Sequence, residues 1–216
     1  MAKFPKITEN TETVIRGLEA RFPARFPLRS DDRSEKPLLV AIDGRCGSGK
    51  TTLGLALQAE LRERFGVPVN LFHMDDFYLR PEQRTPERYA EPGGNVDRER
   101  FLREVLDPLC KGKTFYYHPF SWHLGGYLEP VEVHKTPVSV IEGSFSCHPE
   151  LMPFYDLTVF LTLDPAEQRR RLLLREGEEK FRQFIEKWIP LEELYFTGCD
   201  TANRCELVFD MTRREE

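Results

Sequence analysis

The 216-residue chain carries little of what would mark a secreted, membrane-bound or nucleic-acid-binding protein. Its five cysteines, Cys46, Cys110, Cys147, Cys199 and Cys205, are odd in number and form no Cys-x-x-Cys pair, so neither a disulfide framework nor a zinc site is indicated. They read as reduced thiols packed as small apolar groups, and Cys46 is the one whose oxidation would matter. No run approaches the roughly 18 apolar residues of a membrane span, and the N-terminal MAKFPKITEN has no hydrophobic signal core. A soluble, cytoplasmic protein without a membrane partner is therefore expected. The formal net charge of −5 argues against a dedicated nucleic-acid binder. Internal repeats and low-complexity tracts are absent as well. What is present, 40% apolar residues over this length, suffices for one well-filled core.

The most informative stretch runs from Leu38 to Thr51. Gly44, Gly49, Lys50 and Thr51 satisfy Gly-x-x-x-x-Gly-Lys-Ser/Thr without a mismatch. In such a loop glycines let successive backbone N–H groups turn inward on phosphate oxygens, and the following helix directs its positive dipole end at the same charge. Gly44, Arg45, Cys46, Gly47, Ser48, Gly49, Lys50, Thr51 and Thr52 are thus the candidate nucleotide-binding residues. Lys50 would reach the outer phosphates, and the Thr51 hydroxyl would bind Mg²⁺. Context agrees, because Leu38 to Ile42 is a buried-strand length of apolar residues and Leu53, Leu57, Leu61 and Phe65 recur at four-residue steps as one helical face.

Around this unit strands and helices alternate. Thr8 to about Phe22 predicts an accessory helix, followed by a charged, proline-bearing surface connection, so residues 1–36 form a leader to a domain spanning 37–216. Val67 to Met74 predicts a second strand that stops at Asp75-Asp76, where carboxylates suit either chemistry or a turn. Residues 79–95 show no periodicity and read as a functional loop, after which Asp97 opens an amphipathic helix that Pro108 and Gly112 help to end. Between residues 114 and 134 aromatic and imidazole groups gather around Gly125-Gly126, which predicts a small hairpin or flap; Tyr117 and His123 serve there as packing or as a wall for a planar base. Pro137 to Gly143, Leu157 to Leu163 and Leu207 to Phe209 complete the strands, with helices over 169–196 between the last two. The pattern predicts a three-layer α/β P-loop fold, with a mainly parallel five-stranded sheet and helices on both faces.

The order of segments narrows this further. The phosphate loop, then His73-Met74-Asp75-Asp76-Phe77-Tyr78, then Asn95-Val96-Asp97, then Val140-Ile141-Glu142-Gly143, then an arginine-rich helix after Leu163-Asp164 resembles the uridine kinase and phosphoribulokinase family of P-loop kinases. The resemblance spans roughly residues 37–210. It implies ATP (or GTP) as phosphoryl donor with Mg²⁺, Asp75 as catalytic base, and Lys50 with Arg171 and Arg175 of a mobile lid near 169–196 over the transferred group. It also implies an acceptor side built from Asp97, Tyr78, Tyr117, His123 and Glu142, and a metal site built from Thr51, Asp75 and Glu142. Asp97 at a helix start serves equally as a cap, and helix arginines are commonly solvated. The pyrimidine-reading segment of the family is matched here only by Tyr116-Tyr117-His118-Pro119-Phe120 and His123, spaced differently.

The activity implied is phosphoryl transfer to the 5′-hydroxyl of a nucleoside, uridine or cytidine above all. Transfer to another small alcohol, such as pantothenate or a sugar phosphate, is the second reading. The third is a nucleotide-dependent switch that hydrolyses slowly, although no Asn-Lys-x-Asp segment for guanine is present. Oligomeric state stays open, a homo-oligomer included.

Overall fold

The computed structural model describes residues 5–30 and 36–212. Its elements, in chain order, begin with α1 (Pro5–Arg21), β1 (Leu38–Gly44), α2 (Lys50–Phe65) and β2 (Val69–His73). Next come α3 (Pro86–Ala90), α4 (Arg98–Phe101), a π turn over Leu102–Leu106 and α5 (Asp107–Cys110). A flap follows with β3 (Phe115–Tyr117), β4 (Phe120–Ser121), β5 (Gly126–Tyr127) and β6 (Val131–Val133). The chain then returns to the sheet with β7 (Val138–Glu142) and β8 (Leu157–Thr162), adds α6 (Pro165–Gln183), a π turn over Phe184–Trp188, α7 (Ile189–Cys199) and α8 (Thr201–Arg204), and ends on β9 (Leu207–Asp210).

Five strands form one parallel sheet in the order β2-β7-β1-β8-β9, with Val40 opposite Val140 on one side of β1 and Ile42 opposite Val159 on the other. All seven residues of β1 are buried, as a strand covered on both faces demands. Alternation sorts its side chains: Leu38, Val40 and Ile42 pack with Leu53, Leu57 and Leu61 of α2 and with Val14, Ile15 and Leu18 of α1. Leu39 and Ile141 face the opposite layer, with Phe72, Phe77, Phe101, Val105 and Tyr195. The three-layer α/β expectation therefore holds. Phe65 is only half-buried and meets the edge of Phe26 at 5.7 Å between ring centroids.

The accessory helix forms, whereas the connection expected across residues 21–37 falls partly on 31–35, outside the described residues. The flap forms as two short antiparallel pairs, Tyr116 opposite Glu132 and Phe120 opposite Tyr127. One local expectation needs correcting. Residues 79–95 are not irregular throughout: Thr85 Oγ1 accepts the Arg88 N–H at 3.2 Å and caps α3, a local bond that leaves no periodic trace. The helix after Asp97 passes through a π turn over Leu102–Leu106 and ends at Cys110, between Pro108 and Gly112 as expected.

Candidate active site

The site lies beyond the carboxyl ends of β1, β2 and β7, where an open parallel sheet leaves a crevice. A cavity of about 220 Å³ opens there, walled by the phosphate loop, the turn after β2, the loop after β7 and the lid segment around α6 and α7. Cys46, Gly47, Gly49, Lys50, Thr51, Thr52, Asp75, Tyr78, Glu142 and Arg175 all border it. Residues far apart in the chain and singled out from sequence thus converge on one space.

Beneath the loop sits Asp43, wholly buried at the end of β1. Its carboxylate accepts N–H groups from Gly44 (2.6 Å), Phe145 (3.1 Å) and Cys147 (2.8 Å), and the Tyr195 hydroxyl at 2.8 Å. Burial nonetheless raises its pKa to about 6, against the pull of those donors and of the Lys50 charge. One acid thus joins β1, the loop after β7 and α7.

Lys50 is nearly buried and folds back on its own loop, its Nζ donating to the carbonyls of Gly44 (2.8 Å) and Arg45 (3.0 Å). The Thr51 hydroxyl donates to Glu142 at 3.0 Å and 3.1 Å. Glu142 is buried and also lies 2.5 Å from His73 Nδ1, and this pairing raises the His73 pKa. Among the described residues no cluster of three or more His, Cys, Asp or Glu side chains could hold a metal. Mg²⁺ in kinases takes most of its ligands from water and phosphate oxygens, with one or two protein groups. Thr51 with Glu142 and Asp75 on one cavity wall has the hard oxygen chemistry that such a site needs.

Asp75 is exposed at the turn after β2, and the Tyr78 hydroxyl donates to its Oδ1 at 3.1 Å. Its neighbour Asp76 looks inward, accepting the Tyr117 hydroxyl at 3.1 Å. The two carboxylates therefore separate into one that borders the cavity and one that ties the turn to the flap.

Several expected residues lie elsewhere. Tyr117 is buried, stacked on Phe77 at 5.5 Å, and His123 sits exposed at the flap tip. Arg171 is spent on structure: it bonds Glu167 (2.7 Å) and the carbonyls of Gly47 (3.3 Å) and Met211 (2.7 Å). Asp97 caps α4 through the Arg100 N–H at 3.0 Å, accepts Gln83 at 2.8 Å, and borders a second cavity of about 360 Å³ with Arg80 and Arg88. Gly44, Arg45 and Ser48 belong to the loop without bordering the main cavity, and Arg45 pairs with Glu193. Burial and Glu192 raise the Cys46 pKa well above the usual thiol range, which keeps the group a thiol.

Sequence reading missed Glu192 and Asn95 at this cavity. Glu192 on α7 is buried, and its carboxylate accepts the Cys46 N–H at 2.9 Å and 3.0 Å and the Ser144 hydroxyl at 2.7 Å. Nothing in its helical spacing separates it from a solvated glutamate. Asn95 was visible only as a part of Asn-Val-Asp.

Fold, phosphate loop and cavity match those of P-loop kinases, a phosphotransferase class that takes its phosphoryl group from a nucleotide. No protein-family model matches the chain. It is 28% identical over 181 residues to a thymidylate kinase of Leptospira borgpetersenii, covering 76% of this chain and 87% of the relative. It is 25% identical over 150 residues to a uridine kinase of Brevibacillus brevis, covering 68% and 69%. Among solved structures, a protein of Bacillus stearothermophilus described as a possible uridine kinase superposes with a TM-score of 0.67 at 23% identity, covering 95% of this chain and 97% of that one. D-glycerate 3-kinase of Cryptococcus neoformans superposes with a TM-score of 0.61 at 17% identity, covering 97% of both chains. In sequence the chain is similar to uridine kinases, and in fold to a possible uridine kinase. No helix among the described residues is long and apolar enough to cross a membrane.

Proposed function

We propose that the protein transfers the γ-phosphoryl group of ATP to a hydroxyl of a small molecule, the 5′-hydroxyl of a nucleoside above all. The observation that carries this reading is Asp75, an exposed carboxylate on the same cavity as Lys50 and Thr51 of the phosphate loop. Loop amides and the Lys50 ammonium hold the phosphate oxygens, and Arg175 from the lid adds charge where negative charge spreads in the transition state. The acceptor oxygen forms a bond to the γ-phosphorus as the bond from that phosphorus to the ADP oxygen breaks. Its proton passes to Asp75, and Tyr78 orients that carboxylate through its 3.1 Å hydrogen bond. Thr51, Asp75 and Glu142 would hold Mg²⁺, which would supply charge neutralisation at the phosphates.

Transfer to a different small alcohol is the second reading, favoured by cations beside the aromatic acceptor wall. Arg84 lies 4.0 Å over Trp122, and Lys187 lies 4.8 Å over Trp188, which suits an anionic or sugar-like acceptor. The test is product formation with MgATP against uridine, cytidine, thymidine, pantothenate, fructose, sucrose and D-glycerate. Wild type should phosphorylate at least one, and Asp75→Asn should lose turnover by about a hundredfold or more while still binding ATP. Full activity in that variant overturns the assignment of the base. Hydrolysis with no phosphorylated alcohol in the whole panel makes the protein a nucleotide switch instead.

A further inference from the structure

From the 91–97 turn we infer that Asn95, rather than Asp97, is the residue that grips the acceptor hydroxyl. The inference rests on the phosphoryl transfer proposed above and names a further specificity residue for it.

Asn95 is 4% exposed, borders the cavity that holds Asp75, Tyr78 and Lys50, and its side-chain nitrogen has no hydrogen-bond partner. A buried amide donor left unpaired is costly, so a fold retains one where a ligand completes it. Asp97 stands in the opposite condition. Both its oxygens are engaged, by the Arg100 N–H at 3.0 Å and the Gln83 amide at 2.8 Å, and it borders the second cavity instead.

The backbone around Asn95 is built to hold it still. Arg88 donates to the Gly94 carbonyl at 2.8 Å and to the Val96 carbonyl at 3.0 Å, one residue to either side. Its guanidinium is itself fixed by Glu99 at 2.7 Å and 2.8 Å. At Gly94 the turn passes so close to α3 that an added Cβ would lie 1.8 Å from the Arg88 carbonyl oxygen. A segment this constrained places its carboxamide with little entropy left to lose on binding.

The chemistry suits a neutral amide. A hydroxyl offers one proton and two lone pairs. Asp75 takes the proton and an Asn95 N–H holds one lone pair, which leaves the other free to attack phosphorus. A carboxylate at position 95 would offer no donor and would add a fourth negative charge to a cavity already bordered by Asp75, Glu142 and Glu192.

Steady-state kinetics on the full chain, with MgATP and whichever alcohol of the panel above is phosphorylated, test the assignment. Asn95→Ala should raise the acceptor KM about tenfold or more while the ATP KM moves less than about twofold, the signature of one lost hydrogen bond on the acceptor side alone. Asn95→Asp, equal in size but without the donor, should show the same split, which keeps the test valid if the alanine variant folds poorly. An unchanged acceptor KM in both variants overturns the inference, as does an equal rise in both KM values. A large rise for Asp97→Asn with none for the Asn95 variants also overturns it. Wild type transferring to no alcohol in the panel overturns the proposed function and takes this assignment with it, an outcome distinct from the others.

Discussion

Replacing Tyr195 by Phe isolates one hydrogen bond beneath the phosphate loop. The ring is wholly buried against Phe145 and Phe196, with centroids at 4.9 Å and 5.5 Å, and phenylalanine keeps that packing. Only the 2.8 Å bond from the hydroxyl to Asp43 Oδ2 is lost. A hydrogen bond to a charged group contributes about 1.5–3 kcal/mol, which for a domain of this size lowers Tm by about 3–12 °C. The loss should depend on pH. The Asp43 pKa of about 6 lies above its unfolded value of about 3.9, so its contribution to stability is fully present below pH 4 and fades as pH rises through 6. The tyrosine hydroxyl favours the charged carboxylate, so its removal raises the Asp43 pKa further. The variant should therefore fall behind wild type by more at pH 8 than at pH 5. Thermal melts across that range decide the matter: an equal shift at both ends, or none at pH 8, refutes the reasoning.

Two further outcomes follow from the same wall of the site. Gly143 has φ +138°, and an added Cβ would lie 2.7 Å from Met74 Cβ, so Gly143→Ala should lose about 1–3 kcal/mol from backbone strain alone; an unmoved urea midpoint contradicts this. The His73 pKa is raised by its hydrogen bond to Glu142, so the stability it contributes is present below about pH 6.5 and lost as pH climbs through the raised value. Wild type should therefore exceed His73→Ala in melting temperature by more at pH 6 than at pH 8.5, and a constant gap rejects the pairing.

The β1-loop-α2 unit was legible because every signal in it is local: an apolar run, glycines at set intervals, leucines at four-residue steps. Asp75 was legible for a topological reason, as an acid at the end of a parallel strand. Glu192 was not, because its partner Cys46 lies 146 residues away and its helical spacing is that of a solvated charge. Asn95 and Asp97 illustrate a finer limit. Two residues apart in one short turn, they border different cavities, and only the Arg88 clamp and the Tyr78–Val96 bridge decide which side each serves. Arg171 and Arg175 differ in the same way, one consumed by main-chain carbonyls and the other left at the cavity.

If the loop takes a nucleotide as proposed, the carboxylate of Glu192 on the Cys46 amide makes its arrival an exchange of anions. An incoming phosphate oxygen that claims this N–H evicts a tenant, and the evicted group belongs to the same helix as Tyr195 and as Glu193, the partner of Arg45. In the proposed kinase, occupancy of the loop and the seating of that helix would be opposite sides of one equilibrium, and whatever steadied the helix would raise the concentration of donor needed to fill the loop.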